Sequence, residues 1–274
     1  MSDHVSDHLS TDGTHLRLRA GAATDVGRVR AHNEDAALAE GMVFAVADGM
    51  GGHAAGEVAS GITVEALREL AGRRGLRPDD VIGALATANQ RILERAARQP
   101  DQRGMGTTAA GIAVVSAGGS DHWAVFNIGD SRVYRIVDDQ IQLVTVDHSE
   151  VRELIDAGVI TEAEAAVHPL RNVVTRSLGS RPMPTPDVWV FPPHPGERFV
   201  ICSDGLSNEL SAAAILDLAS SADDPQQAAE ALVHGAVQAG GRDNVTAIVV
   251  ALDPGDGDDG DVDTAPRGAN GTVA

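Results

Sequence analysis

Apolar residues fall into two textures along this chain. Short runs of Val, Ile, Ala and Phe stop at Gly, Asp or Asn, and longer stretches repeat apolar residues every three or four positions. The first texture predicts strands and the second amphipathic helices. Leu16–Ala20 alternates apolar and basic residues, as an edge strand does, and Thr24–Gly27 reads as a turn. Arg28–Asp35 reads as a polar loop or strand end. Further strands are predicted at Met42–Ala47, from Gly104–Thr108 to about Val115, at His122–Ile128, Arg132–Val137 and Gln140–Val144, and in a short stretch Asn172–Leu178. Val188–Phe191, Arg198–Cys202 and Val245–Leu252 complete the set. Helical spacing covers about Ala54–Leu70, Asp79–Arg98, Ser149–Ala157, Thr161–Val167, Ala212–Ala219 and Gln226–Ala239.

Gly118–Asp121 and Asp138-Asp139 are hairpin turns between such strands. Hairpin-rich runs with helices grouped in pairs predict an α+β fold of stacked antiparallel sheets with helices outside, rather than alternating βαβ units. Residues 16–252 form one domain in this reading. Residues 147–172 are too polar for core and are expected to form a flap across a site. Residues 1–15 and the Asp- and Gly-rich stretch 253–274 are expected to be disordered.

Composition narrows the class. Of 274 residues, 43% are hydrophobic but only 3% aromatic, so the core must be aliphatic. A formal net charge of −19 disfavours nucleic acid and anionic membrane surfaces as partners. The single Cys202 excludes an intrachain disulfide and a thiolate zinc cluster. No run approaches a membrane span and no apolar leader follows Met1, so a cytoplasmic monomer is expected.

The chemistry gathers where apolar runs meet acids. Met42–Ala47 runs into Asp48-Gly49-Met50-Gly51-Gly52-His53, Phe126-Asn127-Ile128 into Gly129-Asp130, and Phe199–Ser203 into Asp204-Gly205, while Asp243-Asn244 opens the last strand. Carboxylates at the tips of buried strands need compensation, and a divalent cation supplies it. Asp48, Asp130, Asp204 and Asp243 are therefore expected to converge on Mg²⁺ or Mn²⁺, with room for two ions. An arginine would orient a phosphate there. Arg30 is the candidate, with Arg28 as its rival, and Glu34 and Asp35 stand beside it as supporting carboxylates. Each Asp-Gly taken singly is more often a plain turn.

Seven motifs occur in order: Arg30–Asp35, Asp48–His53, Gly104–Thr108, Gly129–Arg132, Asp147–Ser149, Ser203–Leu206 and Asp243–Thr246. Together they resemble the metal-dependent type 2C protein Ser/Thr phosphatases in their bacterial form. The resemblance spans about Leu16 to Leu252. It implies a β-sandwich of two antiparallel sheets flanked by pairs of helices. It also implies hydrolysis of phosphoserine and phosphothreonine in proteins by a metal-bridging water, in opposition to Ser/Thr kinases. By that match Asp48 bridges two Mn²⁺ or Mg²⁺ ions, the Gly49 carbonyl ligates one, and Asp204 and Asp243 hold the other. Glu34 and Asp35 hold metal waters, Arg30 binds the substrate phosphate, and Asp130 with Asp204 holds a looser third ion.

This chain departs from the pattern twice. Met50 stands where many eukaryotic members carry a His, and His53 follows two glycines later. His168-Pro169-Leu170-Arg171-Asn172 stands where some bacterial members carry a Ser in place of Asn172, whose carbonyl can still serve a third ion. Two rival functions stay open: a phosphoprotein-binding regulator with little turnover, and a two-metal hydrolase of small phosphate esters.

Overall fold

The computed structural model describes residues 16–51 and 55–253. The expectations for residues 1–15, His53 and residues 254–274 lie outside the described residues. The strands are β1 (Leu18–Asp25), β2 (Asp35–Glu40), β3 (Val43–Met50), β4 (Gly106–Thr107), β5 (Ala109–Ala117) and β6 (Ser120–Ile128). They continue as β7 (Arg132–Val137), β8 (Gln140–Leu143), β9 (Asp187–Phe191), β10 (Arg198–Cys202) and β11 (Val245–Leu252). The helices are α1 (Ala55–Ala71), α2 (Pro78–Arg98), α3 (Glu150–Asp156), α4 (Glu162–Ala165), α5 (Asp204–Ser207), α6 (Ala212–Ser220) and α7 (Pro225–Ala239).

Two antiparallel sheets form, in the orders β1-β11-β10-β7-β8 and β2-β3-β5-β6-β9, with β4 added to β3. The central strands are apolar on both faces because both faces are covered. Phe44 and Val46 of β3 pack between the sheets with Ile112, Phe199, Ile201, Ile248 and Val250. Their neighbours Val43, Ala45 and Ala47 face α1 and α2, against Leu67, Leu85 and Ile92. On the far side Val200, Cys202 and Val249 meet Leu232 and Ala236 of α7. Three apolar layers thus hold four layers of structure, at roughly 1.5–3 kcal/mol for each large side chain fully buried. Pro78 at the first position of α2, Asp79 and Asp80 in its first turn and Arg95 and Arg98 in its last suit the helix dipole.

Five expectations change. The unforeseen β2 is short and Ala-rich, and it forms because β3 offers it a ladder from Asp35↔Asp48 to Glu40↔Val43. Strand β3 continues past Ala47 to Met50, so Asp48 sits inside the ladder rather than beyond its end. Asp204 does not close a strand: it opens the one-turn α5. Asn172–Leu178 is not a strand. It makes only isolated bridges, Ser149↔Val174 and Thr107↔Leu178, because it crosses between two different neighbours. Asp253, expected to begin the tail, is tied back to Arg17 through its backbone and to Arg19 through an ion pair of 2.8 Å.

Candidate active site

The acidic positions arrive from both sheets at one end of the sandwich. β3 carries Asp48 opposite Asp35 of β2, and β4 pairs Thr107 with Gly49. Asp48 is locked by its backbone: its N–H donates to Thr108 Oγ1 at 2.9 Å, and its carbonyl accepts from Thr107 Oγ1 at 2.8 Å. The Gly49 N–H donates to the Glu34 carbonyl at 3.2 Å. A Cβ on Gly49 would run into the Gly56 carbonyl, so glycine is needed where α1 crosses the strand. Gly129, at φ 107°, turns the chain from β6 into Asp130, against the side chain of Thr108. From the other sheet, α5 presents Asp204, and Asp243 precedes β11.

A polar scaffold stands behind these groups, built from residues that the motifs include without giving them a role. Ser203 Oγ and Thr246 Oγ1 donate to Asp35 Oδ2 at 2.8 and 2.7 Å. Asn244 is 7% exposed; its amide donates to the carbonyls of Val26 and His32, and its Oδ1 accepts from the Glu34 N–H at 2.9 Å. The signal available in the sequence was a polar residue inside an apolar strand, as Thr246 is, or directly after one, as Ser203 is.

Electrostatics report the convergence. Burial, then the charges of Asp35, Asp204, Asp130 and Asp243, push the Asp48 carboxyl well above the ordinary range. Asp35 is raised to about 6 by burial against the opposing bonds from Thr246 and Ser203, with Asp204 and Asp243 adding to the rise. Asp130 is raised to about 7 by burial, Asp204 and Asp147. Asp204 is raised by burial and Asp243, while hydrogen bonds with Asp48 and Asn208 hold it back. Arg30 Nη2 meets Asp243 Oδ2 at 2.6 Å and is raised chiefly by that bond, opposed by burial and helped by the charges of Asp243, Asp48 and Asp204. Its rival Arg28 turns away to Gln238 at 2.9 Å. Glu34 contributes backbone contacts to the Gly49 N–H and Ser60 rather than a contact with Arg30.

The residues fit a hard divalent cation. The donors are all oxygen, four neighbouring carboxylates raise the proton affinity of Asp48, and Asp35 Oδ1 is buried without a hydrogen-bond partner. Among the described residues no three acidic, histidine or cysteine side chains already enclose one point as an ion cage. Asp204 bonds Asp48 and Asn208, and Asp243 bonds Arg30.

Arg132 grips Asp147 with Nε–Oδ1 at 3.0 Å and Nη2–Oδ2 at 2.6 Å. Burial opposes the Arg132 charge, yet the fork with Asp147 outweighs it and holds the guanidinium above its ordinary value. The buried His148 accepts from the Gly129 N–H through Nδ1 at 3.1 Å, which leaves Nε2 to donate to Asp187 Oδ2 at 3.1 Å. Burial lowers its proton affinity, against the hydrogen bond to Asp187. Asp147-His148 thus joins the start of the 147–172 segment to the Asp130 loop, a structural role. A cavity of about 940 Å³ lies under that segment and reaches Arg30, Asp130, Asp204 and Asp243, with Asn172 on its wall.

A family model for protein phosphatase 2C matches residues 27–236. The chain is 38% identical over 243 residues to the serine/threonine protein phosphatase PstP of Mycobacterium tuberculosis, covering 85% of this chain and 45% of that protein. It therefore spans about half the length of that relative. It is 36% identical over 248 residues to a putative protein phosphatase 2C-type of Streptococcus pyogenes, covering 85% of this chain and 97% of that one. The crystal structure of the M. tuberculosis PstP superposes with a TM-score of 0.81 at 36% identity, over 87% of this chain and 99% of that one. The PstP catalytic domain in complex with two manganese ions gives a TM-score of 0.79 at 36% identity, with the same coverage. With its two sheets, its helix pairs and its acidic cleft, the chain belongs to the protein phosphatase 2C family.

Proposed function

We propose that this chain hydrolyses phosphoserine and phosphothreonine in proteins, with two Mn²⁺ or Mg²⁺ ions as cofactors. The observation that carries the reading is the convergence of Asp48, Asp204 and Asp243 from both sheets beside Arg30. Asp48, the Gly49 carbonyl, Asp204 and Asp243 would hold the two ions. Asp130 and Asp204, with Asn172 near, would serve a looser third ion. When bound, the ions polarise the phosphoryl group and make a water acidic enough to act near neutral pH.

The side chains have the remaining tasks. Arg30 would grip the phosphate through two parallel hydrogen bonds, held beside the ligand Asp243 that it now touches. Asp35, fixed by Ser203 and Thr246, would present its free Oδ1 from behind Asp48. Glu34 fixes the Gly49 strand through its backbone. The 147–172 segment is proposed as a flap that moves over the cavity while the Arg132–Asp147 fork stays shut.

The substrates are proposed to be phosphoproteins made by Ser/Thr kinases, and the protein a cytoplasmic monomer. Among the described residues no helix is long and apolar enough to cross a membrane. Phosphate release from a phosphothreonine peptide, with and without Mn²⁺, is the test. Metal-dependent release supports the proposal, whereas binding without release favours a regulator. Faster turnover of nucleotides than of phosphopeptides favours a small-ester hydrolase.

A further inference from the structure

The cavity is larger than a phosphorylated side chain needs, and part of its lining is apolar. The same cavity that holds Arg30 and Asp204 is also lined by Leu143, Val146, Val151 and Ile155. Leu143 ends β8, the edge strand of its sheet, and is 41% exposed, while Val146 is 45% exposed. Val151 and Ile155 are one helical turn apart on α3, a helix with no buried residue. Leu143 and Val146 are exposed and Val151 and Ile155 only half-buried, and apolar side chains left open to solvent beside a charged site mark a binding surface rather than core.

We infer that this trench is a specificity subsite that takes an apolar side chain of the phosphoprotein, within about four residues of the phosphorylated one, as the reach of an extended chain sets. The inference rests on the proposed phosphatase function. Continuity chooses the occupant: whatever fills the trench shares one space with Arg30, so it is the chain attached to the phosphate. The chain's own stretch 254–274 is a poor rival. It offers only Val262 and Val273 as large apolar residues and carries acids toward an already acidic cavity.

The test is a set of phosphothreonine peptides with Leu, Gly or Asp placed at each flanking position, with p-nitrophenyl phosphate as a substrate that cannot reach the trench. With Mn²⁺ present, Leu at one or two positions should raise kcat/KM about ten-fold over Asp. Ile155→Asp and, separately, Leu143→Asp should erase that preference and leave kcat/KM for p-nitrophenyl phosphate unchanged. Leu143→Met should keep the preference. A flat peptide profile in an active wild-type enzyme overturns the subsite alone. Equal losses on peptide and p-nitrophenyl phosphate in both folded Asp variants overturn it as well. No turnover of any substrate overturns the phosphatase reading and the subsite with it.

Discussion

Asp35 faces Asp48 directly across the β2–β3 ladder, so two carboxylates share one face of a sheet. Like charges so placed destabilise a strand pair. Here Asp204, Asp130 and Asp243 add to the repulsion, and the fold keeps it at the cost of stability.

The metal-free protein should therefore lose stability as pH rises. Asp35 and Asp130 move from the ordinary carboxyl value of 3.8 to about 6 and about 7, and Asp48 and Asp204 also move upward. The folded state binds these protons more tightly than the unfolded chain. Their contribution is then complete below about pH 4 and is lost as pH passes through about 6 to 7, on the order of a few kcal/mol. Thermal melts in EDTA should show Tm falling from pH 5 to pH 8, and Mn²⁺ should cancel the fall at the upper end. An EDTA Tm that rises over that range contradicts this.

Asp48→Asn should have opposite effects on activity and stability. If Asp48 is a shared ligand of the proposed two-ion site, hydrolysis of a phosphothreonine peptide should fall at least about a thousand-fold. In EDTA at pH 8 the variant should melt above wild type, because one repelling charge has gone. A variant that keeps its activity removes Asp48 from the chemistry.

Arg30→Ala should raise KM more than it lowers kcat, if its hydrogen bonds to phosphate are equally strong before and during reaction. Arg30→Lys should recover little, since an ammonium cannot fork around a phosphate. Steady-state kinetics on one phosphopeptide decides this; a pure kcat effect would place Arg30 in transition-state stabilisation instead.

Asp147→Asn should leave the Arg132 guanidinium largely buried without its counter-charge. The Arg132 side chain is 29% exposed and that of Asp147 15%, so a loss of about 2 kcal/mol is expected, below the 3–5 kcal/mol of a fully buried pair. Urea unfolding measures it. A change under about 0.5 kcal/mol would show that the fork does not anchor the segment.

Much of this was readable in the chain. The bounds of β7, β10 and β11 follow from apolar runs cut sharply by Gly, Asp or Asn, and the paired long helices from their spacing. The clustering of Asp48, Asp130, Asp204 and Asp243 was also legible, because each acid stands where an apolar run ends or begins. β2 was not: Asp35–Glu40 has little apolar bulk and owes its form to a neighbour far along the chain. Nor was the partner of Arg30, since Asp243 lies 213 residues away and its approach depends on the packing of both sheets. Ser203, Asn244 and Thr246 were hidden for a related reason. A polar residue in a strand shows that something polar meets it, but not what.

The most direct test is a crystal structure with Mn²⁺, read from anomalous scattering at the manganese edge. The account predicts two peaks about 3.5–4 Å apart, with Asp48 between them and Asp204 and Asp243 on one. Manganese bound elsewhere, or a single ion that Asp48 does not touch, would contradict it.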